Sequence, residues 1–141
     1  MDIEGICDEL KTLAAGVSGV QVVAIGINQA WPTTPAVEVI PDGFNLRTFA
    51  AGNLEQETEG TVYLAVYVAL TQNLESDERT LLPIVRALIA ALRSPTFDRT
   101  LGGRVEDTRA TSVDFDLVRR NSRQYRSALI QVALGDLATP I

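Results

Sequence analysis

The chain has 141 residues, 46% of them hydrophobic, with a net charge of −6, one cysteine and no histidine. That length fits one domain with a sizeable core, and the missing histidine removes the usual zinc sites and histidine-based nucleophiles. The lone Cys7 has no internal disulfide partner, the acidic balance disfavours a dedicated nucleic-acid binder, and no apolar run approaches the ~20 residues of a membrane span.

Asp2 to Val17 places Ile3, Ile6, Leu10, Leu13, Ala14 and Val17 at helical spacing, with acids crowding the first turns, where the helix dipole favours them. The acidic start Met1-Asp2-Ile3-Glu4 lacks the basic character of a secretory peptide, so the expectation is a soluble protein made in a cytoplasm. Cys7 lies on the apolar face of this helix and reads as a small core hydrophobe. Gly16, Ser18 and Gly19 end the helix, and the uncharged run Val20 to Ile27 follows as a buried strand. Asn28 to Pro35 is a loop holding the only tryptophan, Trp31.

Ala36 to Ile40 predicts a short strand with Glu38 outward. Pro41-Asp42-Gly43 is a turn signal that folds the chain into a hairpin with Phe44 to Phe49. Ala50 to Gly60 is polar and acidic and reads as a mobile loop that becomes ordered on assembly. Thr61 to Leu70 is a two-faced strand. Val62, Leu64, Val66, Val68 and Leu70 form an aliphatic face that needs a helix over it, and Tyr63, Ala65, Tyr67 and Ala69 form the other. That second face suits either cover from the same chain or a partner subunit. In the partner case, a charge at Val66 abolishes folding, whereas Tyr67→Asp spares the fold and impairs assembly.

Asn73, Ser76 and Asp77 offer N-cap chemistry before a stripe of Leu81, Val85, Leu88 and Leu92, with Leu82 and Ile89 alongside. Pro83 puts the regular start near Thr80 or bends an earlier turn. After Ser94-Pro95, the Leu101 to Arg104 turn leads into a long hairpin: Val105 to Val118, a tip at Arg119 to Arg123, and a return strand from Gln124 to Leu134. The sum is an α+β fold, a single domain over 1–141, with a mostly antiparallel sheet, two helices packed on one face and a long C-terminal β-hairpin.

No catalytic constellation and no cofactor site emerge. Glu55, Glu57 and Glu59 alternate, so an extended backbone would project them to one side for weak binding of a divalent cation; a solvated acidic loop is the simpler reading. Charge is lopsided, −10 through Glu78 and +4 from Arg79 onward, which suits head-to-tail contact between copies. The tip arginines Arg119, Arg120 and Arg123 suit carboxylates or phosphates, and the acidic balance points them to a protein surface rather than to DNA.

The strand TVYLAVYVAL, the helix RTLLPIVRALIAALRS and the hairpin from GGRV to YRSALIQVAL, in this order, resemble the tail-terminator family of long-tailed bacteriophages. The resemblance implies a small α+β virion protein, made in the host cytoplasm, that needs no cofactor and forms a homomeric, hexameric ring capping the tail tube and providing the surface for head attachment. The implied partners are further copies of the chain, the tail tube protein and a head-completion or stopper protein, with DNA passing through the ring without specific binding and no membrane contact. Tyr63, Tyr67, Arg119, Arg120, Arg123, Glu55, Glu57 and Glu59 are then the candidate subunit and partner interface. A head-completion or stopper ring of the neck is the alternative, and a small DNA-binding module a more distant one.

Overall fold

The computed structural model describes residues 2–26, 31–48, 55–105 and 107–140, and within 45–48, 55–58 and 136–140 the backbone alone. Helix α1 (Ile3–Ala15) starts on Asp2, whose Oδ1 accepts the Gly5 N–H at 2.9 Å. Strand β1 is Val22–Ile25, β2 is Ala36–Thr48 and β3 is Glu55–Ala69. Helix α2 is Leu74–Arg93, and β4 (Asp107–Arg120) and β5 (Arg123–Pro140) form the C-terminal hairpin. The strands make one sheet in the order β1-β2-β3-β5-β4, in which only β1 and β2 pair in parallel.

Period-two alternation decides which side chains meet the helices. Val37 and Val39 of β2, Val62, Leu64, Val66 and Val68 of β3, and Ala128, Ile130, Val132 and Leu134 of β5 pack under Ile6 and Leu10 of α1 and Leu81, Val85, Leu88 and Leu92 of α2. Both helices thus lie on one face of a mostly antiparallel sheet, the α+β architecture that the hydrophobic pattern predicts. Cys7 is buried in this core. Among the described residues, no helix is long and apolar enough to cross a membrane.

Three local expectations are overturned, and a fourth is narrowed. Pro41-Asp42-Gly43 does not turn the chain: β2 runs straight through it, with Pro41 opposite Val62 and Gly43 opposite Thr61, so Asp42 is the extra residue of a bulge. The parallel partner β1 reaches only as far as Val39, so Pro41 lies on a stretch of edge where its missing donor is tolerated. Second, Glu55 to Gly60 belongs to β3 and is paired with both β2 and β5, so backbone hydrogen bonding sustains a strand that has no apolar alternation; positions 50–54 lie outside the described residues. Gly60 sits opposite Phe44, and a Cβ there would come within 2.3 Å of its ring, so glycine makes room for an aromatic lying across the strand.

Third, β1 is a half-buried edge strand rather than a buried one, and Ile27 lies outside the described residues. Fourth, the cap expected at Asn73 holds, and α2 starts directly after it at Leu74 rather than near Thr80, with Pro83 inside it. Asn73 Oδ1 accepts the Ser76 N–H at 3.1 Å, and buried Asp77 accepts both the Thr71 N–H and its hydroxyl, so the cap outweighs the proline, which points to solvent. The hairpin turns through Asn121 and Ser122, at φ 48° and 69°, the two-residue geometry whose twist matches the strands. β5 continues past Leu134 to Pro140 because the lower part of β3 is there to pair with it.

Further irregularities lie between Thr58 and Gly60 on β3, and between Ala110 and Ser112 on β4. Through the register, Pro41, Val62, Val132 and Ala110 form one row across four strands; the irregularities of β2 and β4 adjoin it, and that of β3 begins two residues further along, at Gly60.

Val66 has no exposed surface, and a carboxylate there would be buried among aliphatic side chains at a cost of several kcal/mol, against the ~5 to 15 that stabilise a domain. Val66→Asp is therefore expected to abolish the cooperative thermal transition, as followed by far-ultraviolet circular dichroism.

Candidate functional site

The face of the sheet opposite the helices has a core of its own. Trp31, Ala36, Ala65, Tyr67 and Tyr125 are buried together, with Val22, Ala24, Ile40, Val118 and Leu129 around them. The Trp31 and Tyr67 rings lie 6.0 Å apart, and Tyr125 meets Tyr67 edge-on at 5.9 Å. The Tyr125 hydroxyl accepts the Trp31 backbone N–H at 3.1 Å, which ties the loop after β1 to the start of β5.

The hairpin tip closes over this cluster. Arg120 donates from Nη1 to Glu38 Oε1 and from Nη2 to the Tyr67 hydroxyl, both at 2.6 Å, with its guanidinium carbon 4.7 Å from the Tyr67 ring centre. Glu38, expected outward, has no exposed surface. Its carboxylate is tolerated there because the arginine neutralises it. Arg123 donates to the Trp31 carbonyl at 3.0 Å. Burial pushes the Tyr67 phenol well above the usual tyrosine range, and the hydrogen bond to Glu38 and its charge add to the rise, against the opposing effect of Arg120.

These contacts revise the candidate interface. Tyr67 is a core residue covered by its own chain, because Trp31 and Arg120 arrive from distant segments; Tyr63, on the same face, is half-buried. Arg120 and Arg123 act within the chain, whereas Arg119 is exposed. Glu59 is exposed, and Glu55 and Glu57 occupy alternate positions of β3 rather than a loop. Among the described residues, no three acidic, cysteine or histidine side chains come together as a metal site. The charge asymmetry is partly satisfied internally too, since Arg104 pairs with Asp2 and Glu9, Arg120 with Glu38 and Arg126 with Glu78.

A second feature was not singled out by sequence reasoning. An open groove of about 640 Å³ runs between α2 and β4, lined by Arg79, Leu82, Arg86, Ile89, Val113 and Phe115 among others. Leu82 and Phe115 are 46% and 42% exposed, and Leu117, further along the same face of β4, is 60% exposed. The signal was present in the placement of Leu82 and Ile89 beside the main helical stripe, and in a β4 alternation that runs further than one helix covers. No protein-family model matches the chain, and no curated protein matches it.

Two outcomes test the buried cluster. Glu38→Ala removes the carboxylate partner of Arg120 and is expected to lower stability by about 3 kcal/mol, measured by urea unfolding with the single tryptophan as reporter. Folding keeps Tyr67 protonated above the ordinary value of 10.0, so this group costs stability only above that pH, where the unfolded chain alone ionises. Tyr67→Phe is expected to leave the neutral-pH behaviour free of this linkage and to flatten the alkaline loss of stability, followed by tyrosinate absorbance together with circular dichroism.

Proposed function

We propose that the chain is a virion structural subunit, a tail-terminator-like protein whose copies form a ring on the end of a phage tail tube and present a surface for head attachment. The observation that carries this reading is that the sheet has two unlike open flanks. β1 ends it on one side and β4 on the other, and large apolar side chains lie exposed beside β4. Two unlike flanks suit head-to-tail contact between copies, and such contacts close into rings when the rotation per subunit divides a full turn. The resemblance of the central strand, main helix and hairpin to tail terminators supports the same reading.

The chain acts in this reading by shape and contact, with the DNA sliding through the lumen. Its acidic balance favours such passage, since an overall negative charge disfavours retention of phosphates. Cryo-electron microscopy of particles is expected to find the chain as a closed ring, sixfold, at the head-proximal end of the tail. A single asymmetric copy, or a twofold dimer, would overturn the reading.

A further inference from the structure

We propose that the groove between α2 and β4 receives the α1 and β1 flank of a second copy of this chain, so that sheet and helix layer continue from subunit to subunit. The inference rests on the ring reading and assigns the surfaces that meet in it.

The receiving flank is apolar below and basic above. Val113 and Phe115 form the floor, Leu82, Pro83, Val85 and Ile89 the wall, and Arg79 and Arg86 the rim. Arg79 forms only an exposed pair with Glu75 one helical turn away, and Arg86 forms no ion pair among the described residues. Such an exposed pair contributes little and exchanges readily for a better one. β4 is the last strand of the sheet, so one row of its backbone donors and acceptors is left without a strand partner.

The opposite flank has matching properties. β1 is the other last strand, and Ile25 on it is 41% exposed. α1 packs on β1 and β2 and carries Glu4 and Asp8, both exposed and in no ion pair among the described residues. Strand direction fits as well. β1 is parallel to β2, and three antiparallel pairings lead from β2 through β3 and β5 to β4, so β4 runs antiparallel to β1. Two copies side by side in one orientation therefore bring β1 antiparallel to the neighbour's β4, with acidic α1 beside basic-rimmed α2. The symmetric alternative, groove against groove, sets Arg79 and Arg86 against their own copies and is opposed by like charge.

Sedimentation of the purified chain up to about 1 mM, with negative-stain microscopy of the species formed, tests this. Leu82→Glu and Phe115→Glu change exposed side chains and are expected to keep the wild-type circular dichroism while weakening self-association about tenfold or more. Reversing Glu4 and Asp8 to arginine should do the same, as should reversing Arg79 and Arg86 to glutamate, and joining the two reversals in one chain should restore association. Association that survives both the groove substitutions and the reversals overturns the proposal while leaving a ring by another surface intact. Loss of association in every groove variant, with open chains instead of rings in the wild type, upholds the contact and removes the ring. A wild type that stays monomeric at about 1 mM also overturns the proposal.

Discussion

Burial of both faces of one strand is the constraint on which the rest of the molecule depends. β3 hydrogen-bonds to β2 on one side and β5 on the other, while Val62 to Val68 face the helices and Ala65 and Tyr67 face the aromatic cluster. From Leu64 to Tyr67 the strand is paired along both edges and covered on both faces, and every side chain there is buried. Each further element has a place defined by which side it closes: α1 and α2 above, the Trp31 segment and the hairpin tip below.

The two closures rest on different physics. Above β3 the cover is aliphatic and relies on the hydrophobic effect, at roughly 25 cal/mol per Å² of apolar surface removed from water. Below it, the cover combines aromatic packing with one buried charge pair, and Glu38, Arg120 and Tyr67 have to be present together for the polar groups to be satisfied. Such a network adds directional geometry to the stability: it holds the end of a long hairpin at one place over the sheet, where dispersion contacts alone would allow it to slide.

The parts legible in the sequence are those whose cause is local. α1, the core stripe of α2, the alternation of β3 and the Asn121-Ser122 hairpin follow from periodicity and capping within a few residues. What was not legible depends on neighbours far away in the chain. Pro41-Asp42-Gly43 has the same local chemistry in a turn and in a bulge, and the ladder with Val62 and Thr61 selects the bulge. Glu55 to Gly60 has no apolar alternation to announce a strand, and two flanking strands impose one. Tyr67 could be read as core or interface until Trp31 and Arg120 arrived from opposite ends of the chain to cover it. The groove beside α2 depends on how far β4 extends beyond its helix, a tertiary length that no single segment encodes.

The row of irregularities beside Pro41, Val62, Val132 and Ala110 has a mechanical meaning. Bulges sharpen twist and interrupt the ladder, so a sheet scored along one line bends there before it bends elsewhere. Most of the helix-side core lies on one side of that line, with Leu134 and Phe44 just past it, and β2, β3 and β5 run on together beyond to Thr48, Glu55 and Pro140. A load on the end of this extension would meet those interrupted ladders before it reached the bulk of the hydrophobic core.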